Sequence, residues 1–156
     1  MHRIYLGLGS NLGNKEKNLV DGINEINSRI GTIESRSDFL QTIPWGFASE
    51  NMFVNAVVCV LTDLQPMELL EATQAIETDL GRKEKSIDGV YHDRVIDIDI
   101  LLYDDLQFVS RRLTIPHPLM LQREFVLKPL AQIAPLLVVP TQTKTIAQLL
   151  SDINTL

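Results

Sequence analysis

Apolar positions recur with a period of two in several stretches of this chain and at helical spacing in the stretches between them. Residues 3–9 predict a strand, with Ile4, Leu6 and Leu8 on one face and Gly7 and Gly9 permitting close approach on the other. From 15 to 30, Leu19, Ile23, Ile26 and Ile30 form a single stripe, Asn14 suits the start of a helix and Gly31 its end. Residues 33–41 carry a weaker strand pattern. Phe53 to Leu61 alternates clearly, sending Phe53, Asn55, Val57 and Cys59 one way and Val54, Ala56, Val58 and Val60 the other. Pro66 opens a second helix lined by Leu69, Thr73, Ile76 and Leu80 and stopped by Gly81; Gln65 is a poor cap for it. After the polar stretch 82–93 comes the strand run Arg94 to Leu102, then a turn at Asp104-Asp105. Phe108 to Thr114 returns towards Pro116-His117-Pro118, residues 123–133 read as a helix, and 145–153 as a short last one.

Strand, helix, strand, strand, helix, strand is the order of a ferredoxin-like α+β domain, in which two helices cover one face of an antiparallel sheet. No repeat, low-complexity tract or Pro/Gly-rich linker divides the 156 residues, so residues 1–156 read as one domain. The connection at about 82–93 is longer than an ordinary one and rich in cations, which predicts a mobile lid.

Within the run Arg94-Val-Ile-Asp-Ile-Asp-Ile-Leu-Leu102, two carboxylates stand two residues apart on one face while Ile96, Ile98 and Ile100 point into the core. Adjacent anions repel and lose hydration unless a cation lies between them. A hard divalent ion completed by phosphate oxygens satisfies both, and so the pattern points to a magnesium-phosphate site. A solvated sheet edge is the other reading of the same alternation. Its surroundings favour the metal: Arg82, Lys83, Lys85, Arg94, Arg111, Arg112 and Arg123 put seven of the chain's 14 basic residues between positions 82 and 123. That window holds seven acids and is formally neutral, so the net charge of -6 lies entirely outside it.

The acidic balance excludes a general binder of nucleic acid or anionic membrane, since the overall field repels polyanions. Any phosphate must be held by the local cluster. Cys59 is the sole cysteine and lies in an apolar run, which excludes a disulfide framework and a thiolate metal site. Met1-His-Arg-Ile-Tyr enters a strand pattern directly, and no apolar stretch approaches spanning length. A cytoplasmic setting is expected.

Taken together, Gly9-Ser-Asn11, Thr42-Ile-Pro-Trp-Gly46, Phe53-Val-Asn-Ala56, Gln74-Ala-Ile-Glu77 with Gly81-Arg82, Arg94-Val-Ile-Asp-Ile-Asp-Ile-Leu101, and Arg112-Leu-Thr-Ile-Pro-His117 with Arg123 and Phe125 resemble the hydroxymethyldihydropterin pyrophosphokinase family of folate synthesis. The resemblance runs from about residue 4 to 140. It implies the same ferredoxin-like fold and transfer of an intact pyrophosphoryl group from ATP to the hydroxymethyl oxygen of 6-hydroxymethyl-7,8-dihydropterin, releasing AMP. By position, Asp97 and Asp99 match the family's ligands for two magnesium ions, and Arg82 and Arg94 its loop arginines that close on the phosphates; these four form the catalytic set. Phe53 and Phe125 match its aromatic clamp on the pterin, with Asn55 and the segment holding Thr42, Pro44, Trp45 and Gly46 reading the ring edge. Trp45 stands where other members carry an aliphatic residue. Gln74, Glu77, Lys85, Arg112, Thr114, His117 and Arg123 fall on the ATP side, His117 reaching a phosphate or ribose oxygen rather than moving a proton. Expected partners are these small molecules alone, with no nucleic acid and no membrane, acting on a monomer or weak dimer.

Composition alone reads Phe53 and Phe125 as core residues, Glu77 as a solvated helix residue and His92 as an exposed loop histidine. The chain also departs from the family just before Arg94. Tyr91-His-Asp stands where an aromatic, Gly and Pro are usual, so the allowed backbone changes and Asp93 sets an anion beside the arginine. That departure predicts an altered lid and keeps a second reading open, a catalytically weakened pterin- and nucleotide-binding module of the same fold.

Overall fold

The structure is a computed structural model that describes residues 1–42, 52–81 and 95–154. Its elements follow in the order β1 (His2–Ser10), α1 (Lys15–Arg29), β2 (Gly31–Arg36), β3 (Leu40–Thr42), β4 (Phe53–Thr62), α2 (Pro66–Asp79), β5 (Asp97–Tyr103), β6 (Phe108–Val109), β7 (Thr114–Ile115), a single 3₁₀ turn (Met120–Gln122), α3 (Glu124–Ile133) and α4 (Ile146–Asn154). The main sheet is antiparallel with strand order β2-β4-β1-β5 and β3 added alongside β4. This is the ferredoxin-like order expected from the sequence. The weak pattern at 33–41 resolves into two short strands; the register of β2 shifts between Ile33 and Ser35, and beyond its end the Ser37 hydroxyl accepts the Val57 N–H at 2.9 Å in place of a backbone carbonyl.

One face of the sheet is dry. Ile4, Leu6 and Leu8 of β1, Val54 to Val60 of β4 at alternate positions, and Ile98 and Ile100 of β5 pack against Leu19, Ile26 and Ile30 from α1 and Leu69, Leu70 and Ile76 from α2. The period-two and helical stripes of the sequence meet here as expected. Asn14 caps α1 by accepting the Lys17 N–H at 3.2 Å. The start of α2 is better held than Gln65 suggests, because the Glu68 carboxylate reaches back to the Gln65 N–H at 2.8 Å.

Gly31 corrects another expectation. It takes no left-handed turn to end α1 but opens β2, where a Cβ would run into the Leu61 carbonyl. Gly81 does adopt a positive φ of 140° at the end of α2.

The opposite face is covered over only part of its area. Tyr5, Val57, Cys59, Leu101 and Leu102 pack there under Val126, Leu127 and Leu130 of α3, with Val139 and Ile146 completing a second core. Arg123 is the extended cap residue before α3 rather than its first turn. The uncovered part of this face, towards Gly9 and Asp97, is where the candidate residues gather.

Candidate active site

Strand register builds the floor of this cleft. Gly9 of β1 lies opposite both Asn55 of β4 and Asp97 of β5, and Gly7 lies opposite both Val57 and Asp99. One row thus reads Asn55, Gly9, Asp97, with the two functional side chains two strand spacings apart, roughly 9.5 Å. Between them the missing side chain of Gly9 leaves the gap open. A Cβ there would stand 2.8 Å from Asn55 Oδ1. The cleft is lined by Gly7, Gly9, Thr42, Phe53, Asn55, Asp97, Asp99, Arg123 and Phe125, with Leu8, Ala56, Val57 and Val126 at its base and wall. Thr42, Phe53, Asn55 and Phe125, named from the sequence for pterin, therefore share one cavity with Asp97 and Asp99, named for metal.

On the β4 side, Asn55 is buried and its Nδ2 donates to the Thr42 hydroxyl at 2.7 Å. That bond fixes which way the amide faces and leaves it at the cleft wall as a group for a polar ring edge. Phe53 and Phe125 line the same cleft from β4 and α3, so neither is the plain core residue that composition suggests. Arg123 lies over the Phe125 ring with its guanidinium carbon 5.5 Å from the centroid.

On the β5 side, the Asp99 carboxylate is 4.0 Å from Arg123 Nη1. Loss of hydration among the surrounding protein, and then the Asp97 carboxylate beside it, push the Asp99 pKa up to about 7, while Arg123 pulls the other way. Solvent still reaches it, since the side chain is 40% exposed through the cleft mouth. Arg123 offsets only part of the charge of an ionised pair here, and the remainder is what a divalent cation relieves. Among the described residues no third acid, His or Cys joins them as a possible ligand. Two carboxylates with all remaining positions open fit magnesium, which keeps waters and substrate phosphates in its octahedral shell.

Several of the residues expected on the nucleotide side lie on α2 and on the hairpin after β5. Arg112 Nη2 lies 3.4 Å from Gln74 Oε1, joining the β6–β7 hairpin to α2, and Thr114 is in β7. The His117 backbone N–H donates to the Leu101 carbonyl at 3.0 Å, which seats the residue beside β5. Its Nδ1 accepts the Leu119 N–H at 3.2 Å, so the neutral ring carries its proton on Nε2. Burial, and secondarily Arg123, lower its pKa, with Asp97 opposing. A neutral ring with its Nδ1 lone pair already engaged offers Nε2–H as a donor.

Glu77 is not the solvated helix residue that composition suggests: it is buried, and its Oε2 accepts the Ile98 N–H at 2.8 Å. Pro44, Trp45 and Gly46, and Arg82, Lys85 and Arg94 together with the expected lid at 82–93, lie outside the described residues. The wall residues Val57 and Val126 were not named from the sequence as site residues, because apolar strand and helix positions carry no mark of which end of a sheet stays uncovered.

Comparison with known proteins places this geometry. The family described as 7,8-dihydro-6-hydroxymethylpterin-pyrophosphokinase matches residues 5–135. A 2-amino-4-hydroxy-6-hydroxymethyldihydropteridine pyrophosphokinase of Porphyromonas gingivalis is 49% identical over 133 residues, covering 85% of this chain and 90% of that protein. The protein of the same name from Aquifex aeolicus is 36% identical over 148 residues, covering 95% and 90%. The crystal structure of wild-type Plasmodium falciparum HPPK-DHPS superposes with a TM-score of 0.80 at 15% identity, which speaks for the fold; it takes in 99% of this chain and 45% of that longer one. With a family match over most of its length and relatives this similar, the chain belongs to the 7,8-dihydro-6-hydroxymethylpterin-pyrophosphokinase family.

Proposed function

We propose that this protein transfers pyrophosphate from ATP to 6-hydroxymethyl-7,8-dihydropterin, yielding the pterin diphosphate and AMP for folate biosynthesis. The observation that carries the proposal is the single cleft in which Asp97 and Asp99 face Asn55, Phe53 and Phe125 across the Gly9 gap. A flat heteroaromatic ring fits between the two aromatic side chains, with Asn55 at its polar edge. Its hydroxymethyl arm then extends towards the aspartates. The hydroxymethyl oxygen attacks the β-phosphorus, the bond from that phosphorus to the α,β-bridging oxygen breaks, AMP departs carrying that oxygen, and the hydroxyl proton passes to solvent.

Asp97 and Asp99 are the residues to hold two magnesium ions. Bound there, magnesium supplies neutralisation of the polyphosphate charge and orientation of the reacting oxygens. Arg123, half-turned between Asp99 and the Phe125 ring, is placed to meet phosphate oxygens once Asp99 is occupied. His117 adds the Nε2 proton as a donor to the same anion. Gln74, Arg112 and Thr114 bind the nucleotide from the β5 edge, and Arg82, Lys85 and Arg94 complete the phosphate side, with Pro44, Trp45 and Gly46 beside Thr42 on the pterin side. Residues 1–156 act as one catalytic domain. The protein works on small molecules, as a monomer or weak dimer, in the cytoplasm; among the described residues no helix is long and apolar enough to cross a membrane.

Chromatographic detection of AMP tests the proposal. AMP should form stoichiometrically with pterin diphosphate and only when ATP, magnesium and the dihydropterin are all present. Release of AMP without pterin, or none with all three, would overturn it; the second outcome, with binding retained, would favour the weakened module suggested by Tyr91-His92-Asp93.

A further inference from the structure

We infer that Glu77 is a positioning residue that sets the spacing of the two aspartates through the Ile98 backbone. The inference rests on reading Asp97 and Asp99 as metal ligands. Among the described residues β5 is an edge strand, paired to β1 on one side only. In an antiparallel ladder successive residues turn their N–H and C=O groups to opposite sides. Ile98, between the two aspartates and opposite Leu8 of β1, turns its N–H away from β1, as its bond to Glu77 on α2 shows. There the Glu77 carboxylate accepts it at 2.8 Å. The peptide segment bearing both carboxylates is thus gripped from both sides.

An edge N–H in water needs no such partner. Burying a carboxylate costs hydration free energy, and Glu77 is only 5% exposed. What a fixed carboxylate gives and water does not is a defined position for the strand. Glu77 itself is well anchored for this. Ile76 beside it is fully buried in the first core, and a Cβ on Gly81 would come within 3.2 Å of Val95, so the end of α2 sits directly against the chain leading into β5. Glu77 is also no third metal ligand, since no such group of three forms among the described residues.

Two conservative variants separate this role from a direct one. Glu77→Gln keeps an acceptor at the same reach and removes the charge, whereas Glu77→Asp keeps the charge and withdraws it by one methylene. For wild type and Glu77→Gln, the Ile98 amide in a ¹⁵N correlation spectrum should be shifted downfield and protected from exchange, and in Glu77→Asp it should not. Glu77→Asp should lower kcat about 10–100-fold and raise the magnesium concentration for half-maximal rate, the range seen when a residue supporting a metal ligand is lost. Pterin affinity should stay within about twofold, and Glu77→Gln should be impaired at least tenfold less than Glu77→Asp. The reverse order, with a raised KM for ATP and unchanged magnesium dependence, would assign Glu77 to the nucleotide and overturn the inference. A loss of melting temperature with wild-type magnesium dependence would make it merely structural. Should wild type form no AMP at all, the reaction assigned above fails, and line broadening of cleft resonances by Mn²⁺ in the two variants still decides the positioning role.

Discussion

At the scale of single residues, the paired aspartates concentrate both chemistry and strain. Asp97→Ala removes a proposed metal ligand from a cleft wall without opening a core, so turnover should fall on the order of a thousandfold or more, several kcal/mol of charge stabilisation being lost, while the melting temperature changes little. Steady-state kinetics with a parallel thermal melt checks both halves. Asp99 carries a pH signature. Its folded-state pKa is raised to about 7 from an ordinary value of 3.8, so between those values the folded protein binds a proton that the unfolded chain has released. Stability of the metal-free protein should therefore fall as pH rises through that window and level off above it. Asp99→Asn removes the effect: it should melt with wild type near pH 4 and above it by pH 8, with the gap lessened by the water that reaches this partly exposed side chain. A variant that melts lower than wild type at pH 8 would contradict the assignment. The sequence made the two aspartates legible because strand alternation puts them on one face; it did not disclose that Glu77, 21 positions from Ile98, holds the amide between them.

Elements decide where these residues meet. Alternation and helical stripes were enough to place β1, α1, β4, α2 and β5, because each buries one face against the others and local pattern records that. What local pattern does not record is which part of a sheet stays bare. α3 and α4 close half of the second face through Leu127, Leu130 and Ile146, and the cleft is the half they leave. Leu127→Ala should cost about 2–5 kcal/mol in denaturant unfolding, since this side chain is fully buried. It should also weaken pterin binding, because Phe125 is carried on the same helix. Gly9→Ala tests the floor. Its Cβ would press on Asn55 Oδ1 and disturb the bond to Thr42, so pterin affinity should drop up to about tenfold, the worth of one net hydrogen bond, with the fold retained. Calorimetric titration with the dihydropterin reads both variants. Gly31 shows the opposite lesson: the sequence marked the glycine correctly, but the close approach of Leu61 and not a helix end demands it.

On the scale of the whole molecule, one sheet serves two purposes, with a sealed face that supplies stability and a half-covered face that presents ligands. The chain's net charge of -6 resides outside the segment 82–123, so polyphosphate is drawn to a locally neutral region set with arginines and lysines rather than to the protein at large. Pterin and nucleotide should therefore meet only through the metal at Asp97 and Asp99. Anomalous diffraction from crystals grown with Mn²⁺, a non-hydrolysable ATP analogue and the dihydropterin measures that junction directly. Peaks for the metal in contact with both carboxylates and with phosphate oxygens are the predicted result; the same ligands bound with both carboxylates bare of metal would contradict it.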